Sequence, residues 1–175
     1  MKRILLVIAL TCFLLPSVSI PQDNTVEQKL ITAGYLLFKE SNKLKMLRGD
    51  LAEMIKKSRD LNESDNPEML HITMLMENIF LVETICMYEG ILLGTMPNIE
   101  EGKKMEQYKL HHSQLKEDVI KRLYFNYQST QSCSANIDDK IILEFAGKAK
   151  EEMQATLRVI EEVIKILQSQ IKISP

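Results

Sequence analysis

Apolar residues recur at intervals of three and four along most of the chain after residue 25. This spacing places them on one face of a helix. The first such stretch begins at Thr25, which forms a capping-box pattern with Gln28. One residue in its apolar stripe, Glu40, does not fit the pattern. The stripe itself repeats every seventh residue, as in a coiled coil, at Leu30, Leu37, Leu44 and Leu51.

The same periodicity in three further stretches predicts an all-α fold. The links between the stretches are short, so consecutive helices should run antiparallel. We therefore predict an up-down-up-down four-helix bundle of long antiparallel helices. The predicted helices span about residues 26–61, 67–93, 98–127 and 137–171.

The amino terminus has the pattern of a cleavable signal peptide. Lys2 and Arg3 precede an apolar run over residues 4–15, and small residues follow up to Ser19. We predict cleavage after Ser19, which leaves residues 20–175 as a single domain. The apolar run is shorter than the ~20 residues needed to span a bilayer, so an uncleaved anchor is the alternative. We therefore expect the protein to be exported. A bacterial periplasm is the favoured destination, and the extracellular space is the alternative.

The charge balance argues against a nucleic-acid partner. Removing Lys2 and Arg3 changes the formal charge from −2 to −4, and no basic block is present. Phosphate binding draws on clustered basic residues. Three glutamates inside the second stretch (Glu77, Glu83, Glu89) predict that no transmembrane span remains after cleavage.

Two cysteines remain after cleavage, Cys86 on the apolar face of the second helix and Cys133 in a predicted polar loop. The predicted helices separate them by roughly 30 Å, whereas a disulfide needs Cα atoms within about 7 Å. We therefore expect no intramolecular bond. Cys133, in an exposed loop, is the candidate for a link between two chains.

His112 is the most informative residue for chemistry because it lies at the centre of the third apolar stripe. If the second and third helices meet near Met96, His112 lies level with about Phe80, within a turn of Met76 and Glu83. The fourth helix then contributes Met153 at the same depth. His and Met side chains can hold a non-covalent haem or a metal ion inside a bundle. The alternative is a core histidine that is hydrogen-bonded to a glutamate of a facing helix.

Other metal and modification motifs are weak. No Cys-x-x-Cys-His is present, which excludes covalently attached haem. A Glu-x-x-His pair occurs once, at Glu68 and His71, whereas a di-metal bundle needs two. No metal site and no cofactor are therefore expected. Asn62 begins an Asn-x-Ser glycosylation sequon, to be used only in a eukaryotic host.

No nucleophile motif or phosphate-binding loop is present, so we predict that the protein is not an enzyme. The first hypothesis is an exported, non-catalytic helical bundle that binds another protein or its own copy. Long helices with extended faces suit such docking. The alternative is a carrier of a cofactor, metal or small ligand around His112. A further helix would approach at Glu40, Ala146, Gly147 and Ala149, unless these residues reflect imperfect packing.

Overall fold

The computed structural model describes residues 25–57 and 66–173. Within these residues the chain forms four helices and no strand, so the predicted all-α class is confirmed. The predicted signal peptide and Asn62 lie outside the described residues. The helices are α1, Val26–Lys57; α2, Met69–Thr95; α3, residues 101–134; and α4, Lys140–Ile173.

Local hydrogen bonds fix where the helices begin. The predicted capping box is confirmed, because Thr25 N donates to Gln28 Oε1 and Gln28 N to Thr25 Oγ1, each over 3.3 Å. At the start of α4 the cap is Asp139, whose Oδ1 accepts bonds from the backbone amides of Ile141 and Ile142 at 2.8 and 3.0 Å.

The third helix is longer than predicted and is not uniform. It consists of an α-helical segment, Glu101–Gln114, a π-helical turn, Leu115–Val119, and a second α-helical segment, Ile120–Ser134. The predicted end at residue 127 is wrong. Polar residues follow it, but Thr130 and Cys133 continue the buried stripe and are almost fully enclosed. Packing therefore overrides the weak helix propensity of this segment.

The core runs along the inner faces of all four helices. All four heptad leucines of α1 are fully buried, and α4 contributes a stripe from Ile142 to Leu167. Helix α1 packs against α2 and α4, and α3 packs against the same two helices. Ala146 and Ala149 are fully buried in this core, so they do not mark a free face for a further helix.

Glycines bring α1 and α2 unusually close together. A Cβ atom on Gly34 would lie 2.9 Å from the carbonyl oxygen of Gly90 and 3.2 Å from the backbone nitrogen of Gly94. The ring of Phe38 occupies the space above Gly90, with Cδ2 3.1 Å from the position of a Cβ there. Side chains larger than hydrogen would force these helices apart.

The segment Met69–Asn98 is long and apolar enough, by length and composition, to cross a membrane. Its three glutamates therefore do not exclude a span, contrary to the argument from sequence. The finding is weak, since the core helix of a soluble protein passes the same test. Here Ile72, Leu75 and Ile79 are fully buried against the other helices.

Candidate functional site

The four residues proposed as a ligand site are spread along the molecule. Nε2 of His111, the neighbour of His112, lies 3.3 Å from Oε2 of Glu89. Met76 is thirteen residues from Glu89 on α2, which corresponds to about 20 Å along the helix. Thr130 Oγ1 lies 3.6 Å from the sulfur of Met153, and Thr130 is eighteen residues from His112, or about 27 Å along α3. The structure therefore does not gather His112, Met76, Glu83 and Met153 into one site.

The register error has a physical cause in the connection between α2 and α3. A 3-10 turn, Met96–Asn98, follows α2, and α3 begins at Glu101, so the connection is longer than the prediction assumed. The prediction centred the turn at Met96, whereas the contact of Glu89 with His111 centres it near residue 100. His112 is therefore level with the turn of α2 that contains Glu89, about 12 Å along the helix from Phe80.

The π-helical turn decides which histidine faces the core. The buried residues around it are four apart, at His111, Leu115, Val119 and Leu123, whereas an α-helix repeats every 3.6 residues. The extra residue in the π turn rotates the first half of α3, so that His111 takes the inward position. His112 is half-buried, and its Nε2 has no hydrogen-bond partner within the described residues.

His111 and Glu89 form a buried ionisable pair. Both side chains are about 5% exposed, and their nearest atoms are within ion-pair distance but are not aligned as a hydrogen bond. Burial raises the pKa of Glu89 to about 7 and lowers the pKa of His111 to about 4. Burial thus favours the neutral form of each group, a protonated Glu89 beside an uncharged His111.

Two further polar contacts join neighbouring helices, and they supply cationic partners for the carboxylates of Glu83 and Glu40. Glu83 accepts a 2.9 Å bond from Nε of Arg48, whose guanidinium lies 5.0 Å from the ring centroid of Phe80. Lys43 bonds both Glu40, at 3.0 Å, and Glu152 of α4, at 2.8 Å. Glu40 is therefore an internal ion-pair partner, which explains the misfit in the first stripe.

Both cysteines in the described part of the chain are free, buried thiols. Cys86 Sγ lies 3.2 Å from Oγ1 of Thr156, and burial raises its pKa to about 12. The prediction that Cys133 lies in an exposed loop is wrong. It occupies the last turn of α3 and is 1% exposed, so it is not placed to link two chains.

Among the described residues, no group of three or more His, Cys, Asp and Glu side chains is arranged to hold a metal ion. An open groove of about 470 Å³ lies between α1 and α4, with Leu36, Val159 and Ile166 as its apolar walls. The groove is also lined by charged residues of both signs, Lys29, Arg158 and Glu162.

A second apolar feature lies on the outer side of α1 and α2. Ile31, Tyr35 and Phe38 follow one another at helical spacing on α1, and Met87 and Ile91 do so on α2. Tyr35 is 71% exposed, and the other four side chains are 39–49% exposed. We call these five residues the uncharged patch.

The glycine contact makes the uncharged patch one continuous surface. Gly34 and Gly90 hold the two helices together at its centre, and the Phe38 ring covers Gly90, which lies between Met87 and Ile91. The sequence contains no charged residue over 30–38, and over 84–99 it contains Glu89, which is buried. These two uncharged runs are visible in the sequence, but their adjacency depends on the register of α1 and α2.

Comparison of the chain with protein-family models, with curated proteins and with solved structures gives no match.

Proposed function

We propose that this protein acts by binding another protein through the uncharged patch, without catalysis. The observation that carries the proposal is the exposure of five large apolar side chains on one continuous surface. The largest apolar patch of a typical monomer measures about 300–600 Å² and is often a functional surface. The protein belongs, on this proposal, to the class of exported helical binding modules.

The composition of the uncharged patch favours a protein partner. Tyr, Phe and Met are enriched at the centres of protein interfaces, whereas charged residues are depleted there. The patch contains Tyr35, Phe38 and Met87 and no charged side chain. The groove between α1 and α4 is a weaker candidate because charged residues of both signs surround it.

The proposed scaffold for this surface is the up-down-up-down bundle. Contacts between α1 and α2 support it, because the two helices run in opposite directions. Gly34 contacts Gly90, and seven residues further along α1, Ser41 bonds the carbonyl of Glu83, which precedes Gly90 on α2, at 3.1 Å. Between α3 and α4 the same trend joins Tyr124 to Glu161, Tyr127 to Gln154 and Thr130 to Met153. Antiparallel neighbours of this kind give a rod with two long adjacent helices available for docking.

Export completes the proposal and rests on the signal-peptide pattern before Ser19. The test is the mass of the protein recovered from outside the cytoplasm of the organism that makes it. We expect a chain that begins at Ile20. Recovery of the intact chain from the membrane fraction would instead support the uncleaved anchor.

Binding is tested by placing a photo-crosslinking amino acid at Tyr35 and, as a matched control, at Phe125. Phe125 is 69% exposed on α3 and lies outside the uncharged patch. We expect Tyr35 to give discrete crosslinked protein bands and Phe125 to give none. Crosslinking from neither position, or equal crosslinking from both, would contradict binding through the patch.

A further inference from the structure

The partner of the uncharged patch can be argued from charge. Two copies of a chain with a formal charge of −4 after signal cleavage carry the same net charge, so a contact between them is favoured where no charged side chains face each other. Within the patch no charged side chain meets its own copy, because residues 30–38 carry no charge and Glu89 is buried. The exposed Lys39, one helical turn from Tyr35, lies at its edge. A face without charge offers nothing that selects a charged partner, but it tolerates a second copy of itself.

The area of the patch is sufficient for a dimer. Five large side chains that are each about half exposed offer roughly 500 Å² of apolar surface, given that a buried aromatic residue covers about 150–250 Å². Two such faces bury about 1,000 Å² together, and bordering residues such as Tyr88 and Thr95 add to it. The sum meets the total of about 1,000 Å² that a specific protein interface should clear.

The geometry suits two-fold symmetry. In such an interface the same surface of each copy faces the other, so the surface has to be self-complementary. The patch places the most exposed residue, Tyr35, beside the glycine contact at its centre, with Phe38 and Met87 on one side. Tyr35 of each copy then lies close to the two-fold axis.

We propose that the uncharged patch is the contact surface of a homodimer, in which α1 and α2 of one copy pack on α1 and α2 of another. This inference rests on the proposed function and names its partner. A lipid surface is the less favoured occupant, since helices that lie on membranes usually carry Lys and Arg beside the apolar face. Here the runs 30–38 and 84–99 contain no Lys or Arg, and the basic residues beside them are Lys29 and Lys39 on α1.

The test is sedimentation equilibrium of residues 20–175 at 1–100 µM, with circular dichroism to confirm that each variant folds. The variants Tyr35→Glu and Tyr35→Lys place like charges across the proposed axis, and Phe125→Lys is the control outside the patch. We expect the wild type and Phe125→Lys to dimerise equally. Each Tyr35 variant alone should dimerise at least tenfold more weakly, and an equimolar mixture of the two should recover dimer.

The contrary outcomes show whether the homodimer alone fails or the proposed function fails with it. A wild type that is monomeric at 100 µM overturns the homodimer, and crosslinking from Tyr35 to a different protein would then leave the proposed function standing. A dimer that is insensitive to both Tyr35 variants also overturns it, because the contact lies elsewhere. Flotation of the wild type, but not of Tyr35→Glu, with phosphatidylcholine vesicles would overturn both proposals in favour of a lipid surface.

Discussion

His111 and Glu89 place two ionisable side chains 3.3 Å apart in a region where both are about 5% exposed. Neither Nε2 of His111 nor Oε2 of Glu89 has a hydrogen-bond partner among the described residues. Their pKa values are moved by burial in opposite directions, to about 4 for His111 and about 7 for Glu89. The order of the two pKa values in unfolded chains is thereby reversed.

Replacing Glu89 by Gln should stabilise the protein more at high pH than at low pH. The pKa of Glu89 is raised above its unfolded value of 4.5, so its contribution to stability is present below pH 4.5 and is lost as the pH rises to about 7. The Gln variant lacks this loss. We expect its free energy of unfolding, relative to wild type, to increase by up to about 3 kcal/mol between pH 4.5 and 8 in urea titrations.

The control for this experiment is Glu77→Gln, an exposed position on the same helix. Because this side chain is exposed, its replacement should change the free energy of unfolding by much less than Glu89→Gln does. The pKa of His111 is lowered, so its contribution runs the other way and is lost as the pH falls from 6.5 to about 4. The two contributions oppose each other, so the free energy of unfolding of the wild type should vary little between pH 4.5 and 6.5. An equal effect of Glu89→Gln at pH 5 and pH 8 would show that the carboxyl group is not held protonated.

Gly34→Ala should destabilise the bundle, whereas Gly49→Ala on the same helix should not. A Cβ on Gly34 would lie 2.9 Å from the Gly90 carbonyl oxygen, and nothing lies within 4 Å of a Cβ on Gly49. Overpacking costs about 1–3 kcal/mol, while Ala in an open helical position gains about 0.5–1 kcal/mol over Gly. Thermal unfolding of the two variants measures the difference. Equal melting temperatures would contradict the close approach of α1 and α2.

The fold class followed from periodicity because the apolar stripes of the helices are long. The stripe from Leu30 to Leu51 is buried where the heptad spacing placed it. Boundaries were less accurate, and α3 extends past residue 127 because Thr130 and Cys133 pack inward. Polar composition predicted a loop there, but packing of the buried side chains decided the structure.

The candidate site could not be predicted, because it depends on register between helices. The π turn moves the inward position from His112 to His111, and the 3-10 connection shifts its level from Phe80 towards Glu89. An α-helical repeat does not reveal either change. Likewise Glu40 is a misfit in the stripe, and the bridge through Lys43 to Glu152 of α4 that explains it depends on the register of α1 and α4.

Both cysteines should react very slowly with thiol reagents in the native protein. Burial raises the pKa of Cys86 to about 12, which lowers the thiolate fraction about 1,000-fold relative to a pKa of 9. Burial also raises the pKa of Cys133, whose side chain is enclosed. Labelling rates in buffer and in urea, measured with Cys86→Ser and Cys133→Ser variants, separate the two thiols. Rapid native labelling of Cys133, or a disulfide-linked dimer on non-reducing gels, would contradict its buried position.

Lys43→Met should destabilise the protein at pH 7, and the loss should shrink towards pH 4. Burial and the nearby Glu152 raise the pKa of Glu40, and Lys43 is the cation that bonds both carboxylates. Without Lys43, the pKa of Glu40 should rise further, so stability is lost as the pH increases through that value. Because Lys43 is 40% exposed, the expected loss at pH 7 is only about 1–2 kcal/mol. Lys57→Met is the control, since its pair with Glu53 is exposed and should contribute almost nothing. Equal effects of Lys43→Met at pH 4 and pH 7 would show that Lys43 contributes by packing rather than by holding the two carboxylates together.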